Sequence, residues 1–439
     1  MKVYMETLGC PKNFNDTQTA KGIMTAEGIT ITDDAENSDV MILNTCGFIN
    51  DAKRESIQRI FELAELKDEN RKLVVSGCLA QRYADELFEE MPEVDCFVGV
   101  NQYPELPKIL RELCCDEKRI KSISLCCDTS LGILPRVLEE NPYTATLKIA
   151  EGCNNRCAYC VIPDIRGPYR SKKKEDILKE AQWLADKGCK ELILIAQDVT
   201  LYGTDIYGRQ VLPELLKELC GIEGIEWIRL MYCYEDKITD ELIQVMASEE
   251  KICNYIDIPL QHVSDKVLAE MNHHSTSASI ADTVSRLRNA IPDIHIRTTL
   301  IAGFPGETED DFEAVLDFVE KQRLERLGVF AYSREEGTAA GDREDQIDED
   351  VKAARADSVM RMQLEISREI NEAQVGNTIM VLVESVDEEG AYIGRTQYDA
   401  PEIDNTVIFR SDRKLMPGDF VKVNITDAFD YDLVGRMEE

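Results

Sequence analysis

Positive charge is scarce in this sequence of 439 residues, which has 50 Lys and Arg against 84 Asp and Glu and a formal net charge of −34. A surface of this sign repels a phosphate backbone, so the charge disfavours a general nucleic-acid binder, and no sequence-specific nucleic-acid contact is expected. Long apolar runs are missing as well, since no segment approaches the roughly 18 residues that a membrane helix needs. The opening residues, MKVYMETLGC, do not join a basic stretch to an apolar run. We therefore expect a cytoplasmic protein without a membrane partner.

The remaining composition suits folded domains. Hydrophobic residues make up 44% and charged residues 31% of the chain, which excludes a disordered protein. The length allows two to four domains of roughly 100 to 200 residues each. Fifteen cysteines are many for such a chain. In a reducing compartment they are metal ligands, catalytic thiols or buried small side chains more often than disulfides.

Three cysteines follow strand-like runs in the first part of the chain. VYMETLGC ends at Cys10, VMILNTC at Cys46 and LVVSGC at Cys78, with helical periodicity over 17–26 and 52–66 between them. Strands that alternate with helices predict a parallel sheet, whose loops converge at the carboxyl ends of the strands. We therefore predict that these three cysteines meet in space, the alternative being three separately buried thiols.

A second alternation of strands and helices begins at Tyr143. It predicts a partial or complete (β/α) barrel, in which chemistry takes place at the carboxyl ends of the strands. The predicted strands are 146–150, 191–196, 225–230, 255–259, 294–301 and 327–332, with helices such as 174–187 and 310–321 between them.

The last part of the chain changes character twice. Residues 341–374 carry a long, charged helical pattern, and alternating β-formers from Val375 onward predict a small all-β barrel or sandwich. The fold class is therefore α/β, with an N-terminal parallel-sheet α/β domain, a barrel and a small C-terminal β domain. We place the domains at 1–130, 140–370 and 372–439, with a boundary near 130–143.

The most specific motif is KIAEGCNNRCAYCVIPDIRG, which spaces Cys153, Cys157 and Cys160 as C-x3-C-x2-C directly after a strand. A tight loop can gather these thiolates, and three ligands leave one iron of an iron–sulfur cluster open. Zinc or an incidental grouping is the alternative, although zinc sites more often pair two C-x2-C knuckles or add histidine. The other nine cysteines, which include Cys126 and Cys127, lack ligand spacing and are expected to be inert.

This motif after the first strand of a barrel resembles the radical S-adenosylmethionine (SAM) superfamily. The resemblance implies a 4Fe-4S cluster on Cys153, Cys157 and Cys160, with SAM chelating the open iron and its reductive cleavage giving a 5′-deoxyadenosyl radical. Over nearly its whole length the chain resembles the methylthiotransferases of that superfamily, whose C-terminal β module is a TRAM domain. That likeness implies a second 4Fe-4S cluster on Cys10, Cys46 and Cys78, which carries the sulfur to be donated. SAM would then be both methyl donor and radical source, and an electron donor of unknown identity is required.

Polar residues at other strand ends are candidates for SAM binding. Gln197, Gln261 and Arg297 are favoured by position and by the resemblance, and no catalytic residue beyond the cluster ligands is assigned. Arg297 in a salt bridge is the alternative for that residue. His273 and His274 depart from the family, in which arginines commonly follow the Met-containing segment. We expect this pair to be a solvated helix cap instead of a metal site.

Two substrate classes fit a methylthiotransferase, a base in tRNA or an aspartate of small-subunit ribosomal protein S-twelve. Residues 372–439 contain fifteen acidic and six basic residues, a net charge of −9. A β module that grips RNA needs a basic groove, whereas an acidic module suits a basic ribosomal protein. The sequence YDAPEID, 398–404, also resembles the methylthiotransferases that act on the ribosomal protein, although it could be only a solvated acidic turn. Modification of the ribosomal protein is therefore predicted, with the tRNA adenosine as the alternative.

Overall fold

The computed structural model describes residues 1–115, 118–125, 132–138 and 143–438. Cys126, Cys127 and part of the boundary predicted near 130–143 lie outside the described residues. The chain forms two compact units, of which the first comprises Met1–Glu140, Lys148–Ile177 and Ser333–Gly341. The second comprises Asn141–Leu147, Leu178–Tyr332 and Asp342–Glu439. The three domain ranges drawn from the sequence stay predictions.

The regular elements follow the predicted alternation of strands and helices. The strands are β1 (Lys2–Thr7), β2 (Thr30–Thr32), β3 (Val40–Thr45), β4 (Lys72–Gly77), β5 (Cys96–Val98), β6 (Ile120–Ser122), β7 (Thr144–Lys148), β8 (Ala150–Glu151), β9 (Arg170–Ser171), β10 (Glu191–Ile195), β11 (Trp227–Leu230), β12 (Ile252–Asp257), β13 (His295–Ala302), β14 (Arg326–Ala331), β15 (Thr378–Val386), β16 (Tyr392–Arg395), β17 (Val407–Arg410), β18 (Phe420–Ala428) and β19 (Leu433–Met437). The helices are α1 (Pro11–Ala26), α2 (Asn50–Glu65), α3 (Cys78–Glu90), α4 (Leu106–Cys115), α5 (Ile162–Arg166), α6 (Lys174–Asp186), α7 (Thr204–Tyr207), α8 (Leu212–Cys220), α9 (Asp240–Ser248), α10 (Asp265–Glu270), α11 (Ser277–Ala290), α12 (Glu309–Gln322) and α13 (Glu349–Glu372). None of the helices in the described ranges is both long and apolar enough to cross a membrane.

The first unit is built on a sheet ordered β2-β1-β3-β4-β5-β6, in which each strand pair is parallel. Every residue of β3 is buried, as expected for a parallel sheet covered on both faces. Val40 and Ile42 pack in one apolar cluster and Met41 and Leu43 in another, because successive side chains of a strand point to opposite faces. The predicted N-terminal α/β domain is confirmed.

Helix α1 begins earlier than the pattern over 17–26 predicts, at Pro11. Proline is favoured in the first turn of a helix because its missing N–H has no partner to lose there. Cys10 therefore follows the turn after β1 and directly precedes the first residue of α1.

The second unit contains an open sheet ordered β14-β13-β12-β11-β10-β7, whose pairs from β10 to β14 are parallel. The strand ends lie within three residues of the predicted ones. Because the order runs from β14 to β7 without closing, the barrel is partial. Helix α13 then leads to a closed barrel ordered β15-β16-β17-β19-β18, with Val381, Phe409 and Val423 in its core. The predicted C-terminal β barrel is confirmed.

The closed barrel packs on the amino ends of the open sheet within the second unit. The rings of Trp227, the first residue of β11, and Phe420 meet edge to face at 4.7 Å between centroids. Glu191, the first residue of β10, is fully buried and accepts hydrogen bonds from Arg229 Nε at 2.8 Å and from Arg395 Nη2 at 2.6 Å. Burial opposes ionisation of Glu191, but the two guanidinium groups outweigh it and lower its pKa to about 2. The closed barrel is thus held at the amino ends of these strands by buried contacts.

We expect Glu191→Ala to lower the free energy of unfolding by about 3–5 kcal/mol, because it leaves two buried guanidinium groups without their carboxylate. Denaturant unfolding of the full chain measures this, with the exposed Glu388→Ala as a control that changes little. The Glu191 contribution is present above its unfolded pKa of roughly 4.3 and is lost as pH falls toward about 2. Equal stability of Glu191→Ala and the control at pH 7 would contradict this role.

Candidate functional site

The first three cysteines lie together at the carboxyl edge of the first sheet. Cys10, Cys46 and Cys78 follow β1, β3 and β4, which are neighbours in the sheet. Their thiols interact electrostatically, since burial and then the charges of Cys78 and Cys10 raise the pKa of Cys46 to about 11. Burial also raises the pKa of the Cys78 thiol. The structure thus brings the predicted triplet together.

A glycine permits the close approach of two of these cysteines. Gly9 has φ +100°, and a Cβ added to it would lie 2.9 Å from Cys46 Cβ and 3.2 Å from Cys46 Sγ. A side chain at this position would push Cys46 away, and left-handed backbone favours glycine in any case. The turn from β1 to Cys10 therefore requires a glycine.

The second triplet lies in the loop between β8 and α5, also in the first unit. The Cys153 N–H donates to the Gly167 carbonyl at 3.1 Å, which closes the loop, and the Cys160 N–H donates to the Cys157 carbonyl at 3.0 Å. Burial, followed by the charges of Cys157 and Cys153, raises the pKa of Cys160 to about 12. A Cβ on Gly152 would lie 2.1 Å from the Pro168 carbonyl oxygen, so the turn into this loop also needs glycine.

The donor chemistry of both triplets fits iron–sulfur ligation. Within the described ranges, no three His, Cys, Asp or Glu side chains have the spacing to hold a single metal ion. Three thiols around each centre are the ligand set of a cluster with one open iron. The raised pKa values of Cys46 and Cys160 describe protonated thiols, whose protons are displaced when a metal binds.

A buried ionic network lies beside the first triplet and includes residues that flank the second triplet in sequence. Arg166, at the end of α5, donates to Asp16 Oδ2 at 2.6 Å and to Asn13 Oδ1 at 2.7 Å, and its Nη2 lies 3.4 Å from Cys78 Sγ. Lys148 contacts the carboxylates of both Asp16 and Glu151. Sequence reasoning missed this network, because its partners are up to 153 positions apart and no local pattern marks them.

The segment Ser333–Gly341 completes the first unit. The Glu335 carboxylate is 2% exposed and forms salt bridges with Lys53 Nζ and Arg82 Nη1, each at 2.8 Å. The Ala340 N–H donates to the carbonyl of Ala158, between two cysteines of the second triplet, at 2.8 Å. Sequence reasoning did not assign any role to this segment.

The candidates for SAM binding lie in the second unit. Gln197 follows β10 at its carboxyl end, and Gln261 follows β12 with φ +67° and a backbone N–H that donates to the Thr299 carbonyl at 2.9 Å. Arg297, the third residue of β13, pairs with Asp257 at 3.0 Å and Asp404 at 3.4 Å. The salt-bridge alternative left open for Arg297 is thus the arrangement found. Roles of these residues toward SAM stay predictions.

The His273 and His274 pair is not simply a solvated cap. The ring of His273 stacks on Tyr234 at 6.2 Å between centroids. Burial lowers the pKa of His273 to about 4, so it is neutral at pH 7. The expectation of solvated side chains holds for the exposed His274, whereas His273 is half-buried beside Tyr234.

Two of the three acidic residues of YDAPEID, Asp399 and Asp404, have buried side chains, whereas Glu402 is exposed. Asp399 accepts a hydrogen bond from Arg326 at 2.6 Å, and the side chain of Asp404, 3% exposed, accepts one from the Tyr255 hydroxyl at 2.7 Å. Burial opposes ionisation of Asp399, but the Arg326 guanidinium lowers its pKa. The alternative of a solvated turn is therefore wrong for Asp399 and Asp404, which pair with residues of the open sheet, but it describes the exposed Glu402.

Three family models match successive parts of the chain. Residues 2–99 match the family described as uncharacterized protein family UPF0004, residues 147–319 match the radical SAM superfamily, and residues 375–437 match the TRAM domain.

Solved structures share this fold at low sequence identity. The radical SAM methyltransferase TsrM from Kitasatospora setae, with cobalamin and a 4Fe-4S cluster bound, has a TM-score of 0.57 at 15% identity, covering 77% of this chain and 74% of that chain. The cobalamin-dependent radical enzyme OxsB has a TM-score of 0.50 at 14% identity, covering 82% of this chain and 56% of that chain. These likenesses show the fold alone.

Curated relatives are much more similar and match over their full length. The ribosomal protein uS12 methylthiotransferase RimO of Acetivibrio thermocellus is 49% identical over 444 residues, covering 99% of this chain and 98% of the relative. The protein of the same name from Clostridioides difficile is 49% identical over 442 residues, covering 100% of this chain and 99% of the relative. The chain therefore belongs to the RimO family of ribosomal protein uS12 methylthiotransferases, within the radical SAM superfamily.

Proposed function

We propose that this chain transfers a methylthio group to the β-carbon of an aspartate in ribosomal protein uS12. This is the small-subunit protein S-twelve predicted as the substrate from the sequence. The observation that carries the proposal is the pair of three-cysteine sites that one compact unit holds. Two such sites suit a reaction that needs both a radical and a stored sulfur. Membership of the RimO family supports the substrate.

Each site has its own part in this function. Cys153, Cys157 and Cys160 would hold the cluster that binds SAM, and Cys10, Cys46 and Cys78 would hold a second one. When bound, these groups supply an electron for SAM cleavage and a carrier for the sulfur. The electron comes from a donor protein whose identity we leave open.

The protein's own contribution is to hold the thiols in place and to keep water away. Cys78 and Cys153 are each 6% exposed and Cys157 is 7% exposed. Burial of these three ligands limits side reactions of reactive species with solvent, whereas Cys10, Cys46 and Cys160 are only partly buried. Gln197 and Gln261 keep the proposed role in SAM binding, because amide groups at carboxyl strand ends can hydrogen-bond its amino acid, ribose or adenine. Arg297, engaged by Asp257 and Asp404, is better assigned to docking of the closed barrel.

The C-terminal barrel has the charge to attract a basic ribosomal protein. Asp399 and Asp404 are buried, but other acidic residues of the module, such as Asp387, Glu388 and Glu389, remain exposed. This surface attracts a basic protein and repels RNA. Action on a ribosomal protein supports the proposal that the enzyme works in the cytoplasm.

Peptide mass spectrometry tests the proposed reaction. The full chain, with reconstituted clusters, dithionite and SAM, should add one methylthio group to uS12 on an aspartate. A uS12 variant with asparagine at the modified position should gain none. Modification of any other residue type, or modification without SAM, would contradict the proposal.

A further inference from the structure

Arg166 follows one cysteine triplet in sequence, and its side chain contacts the other. It lies six residues after Cys160, yet its guanidinium contacts Cys78 Sγ at 3.4 Å and Asn13 Oδ1 at 2.7 Å. The side chain is 3% exposed. A single short segment thus contains three ligands of one predicted cluster and a cation beside a ligand of the other.

The charge of Arg166 is held in place by its neighbours. An arginine stays charged in proteins, and the carboxylates of Asp16 at 2.6 Å and Glu151 at 3.4 Å pair with its Nη1. Asp16 and Glu151 balance Lys148 and Arg166, so the network is neutral before any thiolate is counted. Thiolate ligands add negative charge beside Arg166, in surroundings where water screens charge poorly.

We propose that Arg166 is a positioning residue for the N-terminal cluster, whose reduction potential it raises through Cys78; this inference rests on the proposed function. Hydrogen bonds to the sulfur ligands and nearby charge set the potential of such a cluster. A fixed positive charge favours the reduced form, which carries one more negative charge. The contact of Nη2 with Asn13 Oδ1 on α1 holds the guanidinium at Cys78, whereas the Asp16 carboxylate partly offsets its charge.

The test uses the full chain carrying Cys153→Ala, Cys157→Ala and Cys160→Ala, so that only the N-terminal cluster remains. Its midpoint potential is measured by redox titration with electron paramagnetic resonance. Arg166→Gln should shift the reduction equilibrium about tenfold toward the oxidised form. For a one-electron couple this makes the midpoint potential about 59 mV more negative. Arg166→Lys should retain most of the wild-type potential. Arg54→Gln, which removes an 84% exposed cation from the same unit, should leave the potential unchanged.

Asp16→Asn provides a test of opposite sign. It removes a carboxylate that offsets the charge of Arg166, so the midpoint potential should become less negative. If Arg166→Gln does not take up iron, this second variant still tests the role of Arg166. The amount of bound iron shows whether a failed test concerns the N-terminal cluster itself or only the role of Arg166. A background protein without iron would refute the proposed N-terminal cluster itself. A background with about four irons per chain, whose potential neither Arg166→Gln nor Asp16→Asn changes, would refute the role of Arg166 alone.

Discussion

Replacement of Cys153 by alanine is expected to abolish SAM cleavage and to lower bound iron from about eight to about four atoms per chain. Cys153 is buried, and its N–H closes the loop that gathers three thiols. Two remaining thiolates are too few to hold a cluster with one open iron. Iron analysis and chromatography of 5′-deoxyadenosine from the reduced enzyme measure the two effects.

The matched control is Cys115→Ala, because Cys115 is an exposed free cysteine outside both triplets. It should keep the full iron content and the full rate of SAM cleavage. Wild-type SAM cleavage by Cys153→Ala would show that this loop does not hold the catalytic cluster.

Replacement of Cys46 by alanine is expected to separate the two halves of the reaction. The variant should keep SAM cleavage and about four irons per chain, but its methylthio transfer to uS12 should fall to the level without enzyme. The reason is that Cys46 belongs to the triplet at the edge of the N-terminal sheet, whereas the C-x3-C-x2-C loop remains intact. Both products are quantified in one reaction by mass spectrometry.

Two outcomes would contradict this division of roles. Methylthio transfer at the wild-type rate would show that the N-terminal triplet does not carry the sulfur. Full iron content in Cys46→Ala would show that the triplet does not hold a cluster.

Sequence reasoning was most successful where chemistry and fold share a local pattern. The hydrophobic runs that end at Cys10, Cys46 and Cys78 predicted three strands, and parallel strands necessarily bring their carboxyl ends to one edge. The open sheet and the closed barrel were predicted for the same reason, since the period of the apolar residues reports the type of element.

The contacts between distant segments could not be predicted in this way. Arg166 and Asp16 are 150 positions apart, and Arg326 and Asp399 are 73 apart. Nothing in YDAPEID indicates that its carboxylates face arginines of the sheet, and an acidic turn in solvent would read identically. Ion pairs of this kind depend on tertiary packing, which periodicity does not encode.

The choice of substrate is the central claim, and a competition assay tests it most directly. Reduced, reconstituted enzyme and SAM are incubated with equal amounts of uS12 and unmodified tRNA in one vessel, and the methylthio group on each is measured by mass spectrometry. The acidic C-terminal barrel and membership of the RimO family predict modification of uS12, on aspartate, with tRNA unchanged. Methylthiolated tRNA with unmodified uS12 would contradict the account.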